Sequence, residues 1–547
     1  ALPLAPLLGA VLCWLLGPKR GPAVRSVSVA VSVICLALAA ALTASYLSLL
    51  DKRTGLGNGT FHPEFVPGST EASPRDTTWN LVRFQDGGAI QFFLGVDGLN
   101  IWLIALTAVL ILPCVLVSFK AVKDRVHEYY AWLLLLQTSV FGVFLSFDIV
   151  LFYVFFEIGL IPLFFLIGIW GGSQRIEAAR KFVIFTLAGS LLTLLGVLAI
   201  VLACHAQTKE LSFSIPHLVK TVNEGLTKDP AYWLGIQNWA FLALCAGFAV
   251  KVPLMPFHTW LPLAHTEAPT AGSVSLAGVL LKLGGYGFLR LCIPLCPDAA
   301  WGIGVPLITG LAALGVVYGA FTAYAQDDIK KLVAYSSVSH LGLCMLGMFS
   351  LTLVGLQGSM MQMINHGLST PLLFLLIGMV YERYHTRKIA DYGGMAAKMP
   401  LFGFFMVFAA LSSVGLPLLN GFVGELLCLM GIYQHEAARG TGILPLRTVL
   451  GASGMLLGAW YLFTVLRKVL FGPAHEPHHE GEKHEPTTDL DMRERGLLVP
   501  LAALCVVIGF YPAPILDSVE PDLKRVVSMV DKAKSRAAGD VRRAEAR

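Results

Sequence analysis

The stretch DIVLFYVFFEIGLIPLFFLIGIWGG, residues 148–172, decides the fold class. It is apolar for long enough to cross the hydrocarbon core of a bilayer as a helix, which takes about 20 residues. After the opening Asp148 it carries one further charge, Glu157, close to its middle. A soluble strand or helix of this length would alternate apolar with polar positions, and this one does not. Similar runs centre on residues 2–17, 27–50, 97–119, 129–147, 149–170, 180–203, 236–255, 268–293, 303–325, 330–349, 355–380, 401–430, 446–471 and 496–516. The first, ALPLAPLLGAVLCWLLG, reads as a span because no small-residue cleavage site follows it at the usual distance. At about 21 residues each, these fourteen runs occupy about half the chain, in keeping with an apolar content of 56%.

Composition agrees with that reading. Of 547 residues only 14% are charged and the mean hydropathy is +0.69, against roughly 25% charged in ordinary soluble domains. A net charge of +5 over this length gives no reason to expect a nucleic-acid partner. The ten cysteines lie mostly inside apolar runs and form no CxxC pair, so they read as buried thiols rather than a disulfide framework or a metal site. No GxGxxG after a strand, no GxxxxGK[ST], no HExxH and no CxxCH is present. The chain therefore presents no nucleotide, metal or redox cofactor motif of its own.

Segments 51–96 and 204–235 read as loops, and the His-rich stretch 473–489 as a solvated loop. The tail from 520 to 547 has a helix-compatible pattern suited to lying along a neighbouring surface. Basic residues cluster in alternate connections: Lys19, Arg20 and Arg25; Lys120, Lys123 and Arg125; Arg175, Arg180 and Lys181; Lys330 and Lys331; Arg383, Arg387, Lys388 and Lys398; Arg467 and Lys468. The positive-inside rule places these on the cytoplasmic side and, for an even number of spans, both termini on the other; the basic tail opposes that placement.

Ionisable groups deep inside apolar runs carry the chemistry, because such groups are costly in hydrocarbon and face a bundle interior or a water path. Six stand out: Glu157, Lys251 in AVKVPLMPFH, Lys282 in GVLLKLGGYG, His340 in SSVSHLGL, His366 in MINHGLST and Glu425 in GFVGELLC. Glu157 with Lys251 also fits an ion pair that only fixes helix packing. His340 and His366 also fit core histidines satisfied by a serine or a carbonyl. Lys282 needs a carboxylate or water at mid-membrane. Two runs are broken, at Lys251–Pro256 and at Gly415–Gly421, and Pro253 and Pro417 lie 164 residues apart. Proline frees a carbonyl that is tolerated at membrane depth only in a protein-lined or water-lined site. Such spacing fits two related halves with discontinuous helices, as in transporters built from inverted repeats. A row of Glu, Lys, Lys, His, His and Glu suits protons better than a bulky solute, since a shift of one charge moves the protonation of the next.

Residues 258–290, HTWLPLAHTEAPTAGSVSLAGVLLKLGGYGFLR, together with FFEIGLIP and NGFVGE, closely resemble the proton-pumping M subunits (subunit 4 in mitochondria) of respiratory complex I, NADH:quinone oxidoreductase. The likeness runs from about residue 95 to 515. It implies an all-α polytopic membrane protein of about 14 transmembrane helices with two inverted five-helix repeats, each containing a broken helix. The implied layout is 1–50 N-terminal helices, 51–96 extramembrane loop, 97–128 third helix and loop, 129–296 and 297–472 the antiporter-like repeats, 473–495 the His-rich loop and 496–547 the last helix and basic tail. Carried over, Glu157 pairs with Lys251 in the uptake half, Lys282 is the central relay, and His340 and His366 continue the axis to a terminal Glu425. Asp148 matches an acidic position of less definite role. Related L and N subunits usually carry Lys at the last position, so Glu425 favours the M type.

The resemblance further implies no cofactor in this chain, with NADH, FMN, iron-sulfur clusters and quinone held by the rest of the complex. L-type and N-type antiporter-like subunits are the implied neighbours, protons the transported species, and membrane lipid the surroundings, in a bacterial plasma (inner) membrane. Two other readings stay open: a subunit of a multi-subunit cation/proton antiporter or membrane-bound hydrogenase, and a scaffold whose buried charges only hold helices together. Six buried ionisable groups in one chain weigh against a scaffold.

Overall fold

The computed structural model describes residues 1–50, 79–84, 88–438, 445–473, 475 and 488–545. Most of the expected 473–489 loop and residues 51–78 and 85–87 of the 51–96 loop lie outside these. The helices that matter below are α1 (Leu4–Leu16), α2 (Gly21–Leu50), α3 (Ile101–Ala121), α4 (Val126–Leu145), α5 (Ile149–Ile158), α6 (Leu160–Trp170), α7 (Arg175–Thr208), α8 (Ile215–Lys228), α9 (Pro230–Lys251), α10 (Trp260–Glu267), α11 (Thr270–Leu295), α12 (Pro297–Tyr324), α13 (Ile329–Met348), α14 (Leu353–Tyr384), α15 (Pro400–Val414), α16 (Asn420–Ala437), α17 (Leu446–Leu470), α18 (Met492–Phe510) and α19 (Ala513–Glu545). One antiparallel hairpin, β1 (Trp79–Arg83) with β2 (Ala89–Phe92), precedes α3.

Among the described residues ten helices are long and apolar enough to cross a membrane, or eleven if the bent pair α18 and α19 counts as one. The chain is a multi-pass integral membrane protein. Three of the fourteen apolar runs fall short of that measure for physical reasons. Run 2–17 makes a helix of only 13 residues. Run 330–349 forms α13 at full length, but Lys330, Lys331, three serines and His340 lower its hydropathy. Run 401–430 is split in two by Gly415, whose φ of +79° is a conformation that closes a helix and favours glycine. Two of these three runs carry candidate residues, His340 on α13 and Glu425 on α16.

The basic connections meet on one face. Lys120 pairs with Asp491 at 2.9 Å, Arg383 with Glu494 at 2.7 Å, and Arg25 donates to Val122 O at 3.0 Å. At this face Asp328 caps α13 through Lys330 N and Lys331 N, and Asp491 with Glu494 makes a capping box at the start of α18. The opposite face holds the hairpin, α8 and α19. The tail expected to lie on a neighbour lies on its own chain: Ile515, Val519, Leu523, Val526, Val530 and Ala533 form a buried stripe at helical spacing. Asp298 accepts from Nε and NH2 of Arg536, at 2.9 and 2.7 Å, and Trp102 Nε1 donates to Ser518 Oγ at 2.7 Å.

Asp148 has a structural task. It accepts from Val150 N and Leu151 N at 2.9 and 3.0 Å, capping α5, and from Gln91 N of the hairpin at 2.9 Å. Burial pushes its carboxyl up to about 6, although the three backbone N–H groups favour the charge. Asp148→Ala should lower stability by about 1–2 kcal/mol, the usual cost of a lost N-cap. Thermal loss of the solubilised chain measures it; an unchanged midpoint would show that the cap contributes nothing.

Candidate functional site

Glu157 sits on the last turn of α5, where Pro162 cannot donate to Ile158 O and the span hitches at Gly159. Lys251 is the final residue of α9, and Pro253 and Pro256 prevent the helix from continuing. The indole of Trp260, from the HTWLP stretch, donates to Val250 O at 3.0 Å and so satisfies a carbonyl at the break. Lys251 is 4% exposed, and its Nζ lies 4.6 Å from the Phe156 ring centre, next to Glu157 in sequence. Glu157 and Lys251 interact electrostatically without closing to a salt bridge.

The other four residues form a second group. Lys282 is wholly buried in α11, directly after a π-helical stretch at Leu276–Leu280. The Lys282 ammonium donates to Ala277 O in that irregular turn, and irregular turns of this kind are frequent at functional positions. Lys282 Nζ is also 2.9 Å from His366 Nδ1 of α14. The His366 and His340 ring centres are 6.1 Å apart. His340 Nδ1, on α13, is 3.0 Å from Glu425 Oε1 on α16. Its Nε2 faces Ser413 Oγ and Tyr461 OH, each at 3.4 Å. Gln362 Nε2 donates to Glu425 Oε1 at 3.4 Å.

The second break shapes this end. A side chain at position 415 would meet Glu425 Oε2 at 2.6 Å, so Gly415 both ends α15 and leaves room for the carboxylate. The loose ends are clasped by α14: Asn365 Nδ2 donates to Asn420 O at 2.6 Å, Asn420 Nδ2 to Asn365 O at 3.2 Å, and Ser412 Oγ to Asn420 Oδ1 at 2.6 Å.

The structure thus buries five of the six candidates and leaves Glu157 half-buried, and it groups them as a pair and a foursome. Between the groups, Gly284 brings α11 against α9, where a side chain would meet Lys251 Cβ at 3.0 Å. No hydrogen bond joins Lys251 to Lys282 among the described residues. Chemically the foursome is a row of donors and acceptors with a cation at one end and a carboxylate at the other. It can hold and pass a proton.

Sequence reasoning overlooked a wholly buried ion pair. Arg290, two turns beyond Lys282, grips Asp97 with NH1 to Oδ2 and NH2 to Oδ1, both 2.6 Å, and its Nε donates to Tyr286 OH at 3.0 Å. The signal was present, since Asp97 in FFLGVDGLNIWL and Arg290 in KLGGYGFLR are charges in apolar runs by the same test that picked out Lys282. His265, buried, was overlooked as well, and Lys330, read as part of a basic connection, is buried too.

Fold and site together define a polytopic helical membrane protein with a buried row of ionisable groups running between two broken helices. The family model described as NADH:quinone oxidoreductase/Mrp antiporter, TM, matches residues 146–451, and the chain belongs to that family. An NADH-quinone oxidoreductase subunit M of Rhodobacter capsulatus is 41% identical over 80% of this chain and 82% of its own length. A subunit M of Pseudomonas aeruginosa is 36% identical over 98% of both chains. Among solved structures, a chain of respiratory complex I from Thermus thermophilus with bound NADH superposes with a TM-score of 0.78 at 28% identity, covering 97% of this chain and 99% of that one.

Proposed function

We propose that this chain is the proton-translocating M-type membrane subunit of an NADH:quinone oxidoreductase, driven by quinone reduction in other subunits. The observation that carries the reading is the buried row Lys282, His366, His340 and Glu425, two hydrogen-bonded pairs whose imidazoles face each other at 6.1 Å. Glu157 and Lys251 form the uptake pair, Lys282 the central relay, and Glu425 the release group. The two halves, 129–296 and 297–472, are inverted repeats within about 14 spans, each repeat containing one of the two breaks. NADH, FMN, iron-sulfur clusters and quinone belong to other subunits, and L-type and N-type subunits flank this one in a bacterial plasma membrane. A charge arriving beside Glu157 changes the hold on the Lys251 proton, and each later group responds to its neighbour in the same way.

A native gel of mildly solubilised membranes tests the assignment: the chain should migrate in a large band that reduces a dye with NADH. Glu157→Gln in that complex should assemble and lose at least about 100-fold in NADH-driven pumping, the low end of what a positioned proton carrier contributes. Full pumping by the assembled variant would remove Glu157 from the relay. A band without NADH activity, with sodium-dependent proton flux in vesicles, would move the chain to the antiporter side of its family.

A further inference from the structure

His366, Thr370 and Phe374 lie at successive i, i+4 positions on α14 and so share one face. His366 Nε2 and Thr370 Oγ1 are buried, at 2% and 1% residue exposure, and have no hydrogen-bond partner in the protein. Phe374 stacks on His265 with ring centres 4.8 Å apart and planes within 9°. His265, on α10, is 0% exposed, and neither of its ring nitrogens has a partner. Three residues on, Ala268 O accepts from Lys330 Nζ at 2.5 Å, at the start of α13 on the basic face. His265 stands close enough to Lys330, Lys282 and His366 to interact electrostatically with each. If His265 only filled space, a phenylalanine would fill it without burying two unpaired nitrogens, and Thr370 would serve as well as valine. Unpartnered polar atoms in a row are where buried water binds.

We infer that His265 and Thr370 line a hydrated proton-uptake branch leading from the basic face beside Lys330 to His366 and Lys282, separate from the Glu157–Lys251 pair. The inference rests on the proton-translocation reading above. In one passage a water on the Lys330 side protonates one ring nitrogen of His265, and the other nitrogen gives its proton to a water beside Thr370. The Thr370 hydroxyl accepts that proton from the water and donates its own onward. His366 Nε2 receives it, and His366 Nδ1 yields a proton to the neutral Lys282 amine. One proton enters and one arrives; both imidazoles are left as the opposite tautomer, and a ring flip or return passage resets them.

The test uses the assembled complex in membrane vesicles, comparing His265→Phe, Thr370→Val and Lys282→Met with the native protein. His265→Phe keeps the stack on Phe374, and Thr370→Val keeps the shape while removing an unpartnered hydroxyl, so thermal stability should hold or rise in both. NADH-driven pumping should fall by about tenfold in His265→Phe, short of the about 100-fold at the low end for a positioned proton carrier, because water can partly stand in for the imidazole. It should fall measurably in Thr370→Val, with a larger D2O effect on the residual rate in both. Native pumping and isotope effect in the two variants, with Lys282→Met inactive, would overturn the branch and leave the parent reading intact. Native pumping in all three would overturn the parent reading and the branch together. If His265→Phe fails to assemble, Thr370→Val decides: slowed pumping with unchanged stability supports the branch, and native pumping rejects it.

Discussion

Lys282→Met is expected to abolish NADH-driven proton pumping in a complex that still assembles. Methionine is flexible, apolar and of nearly the same length, so the wholly buried site keeps its packing. What disappears is the one group that joins the His366 pair and can hold or release a proton, and a loss of about 100-fold or more follows from the range for general acid–base groups. Acidification of vesicles, followed with a pH-sensitive dye and normalised to NADH–dye reduction, measures it. Pumping above a tenth of native in an assembled Lys282→Met complex would refute the central-relay role. Lys282→Arg sharpens the test, because guanidinium keeps the charge but does not give up its proton in proteins. It is expected to be as inactive as the methionine variant. If arginine restored pumping, the site would need a fixed positive charge and the relay would run elsewhere.

Much of this was legible without coordinates, and the boundary of legibility has a physical origin. A charge in an apolar run is conspicuous because hydrocarbon penalises it, and that penalty alone located Glu157, Lys251, Lys282, His340, His366 and Glu425. The breaks were legible for a related reason: Pro253 and Pro417 act locally, on their own helices, whereas the part Gly415 plays in closing the second one came from its φ. Pairings were not legible. That Lys282 meets His366 and His340 meets Glu425 depends on how α11, α13, α14 and α16 pack, and no periodicity encodes a contact between residues 84 or 85 positions apart. Thr370 shows a different limit. A threonine in an apolar helix usually bonds a carbonyl of its own helix, as Thr107 does to Leu103 O, so only coordinates reveal one that does not.

The last helix illustrates the same limit in another form. Its amphipathic pattern was clear from sequence, but its partner was not, because an apolar stripe does not name the surface that covers it. Here it is covered by its own chain, with Asp522 accepting from Gly98 N at 2.7 Å and pairing with Arg525 at 2.9 Å. A side chain at position 98 would meet Ser518 O at 2.5 Å, so the loop before α3 can approach the helix this closely only as glycine. The loop that carries Asp97 is therefore held between α19 on one side and Arg290 of the Lys282 helix on the other.

That geometry gives the second large effect. Asp97→Asn should destabilise the chain by about 3–5 kcal/mol, the range for removing one partner of a buried ion pair, and sharply reduce its level in the membrane. The Arg290 guanidinium is 0% exposed and Asp97 neutralises it through two 2.6 Å contacts. Asparagine is nearly isosteric, so the loss is electrostatic rather than steric. The penalty comes mainly from the Arg290 charge losing its two-contact carboxylate, with Asp522 remaining nearby as a weaker electrostatic neighbour, and neutralising both partners should recover part of it. In Asp97→Asn/Arg290→Gln two amides can still hydrogen-bond, and a neutral pair costs far less to bury. The expected ranking of membrane level and thermal stability is native, then the double variant, then Asp97→Asn. Immunoblots and thermal scans of detergent-solubilised membranes would show it. An Asp97→Asn chain as stable as native would mean that another group neutralises Arg290. A double variant no better than the single one would mean that the charged pair itself, and not the avoidance of a lone buried charge, holds this loop to the Lys282 helix.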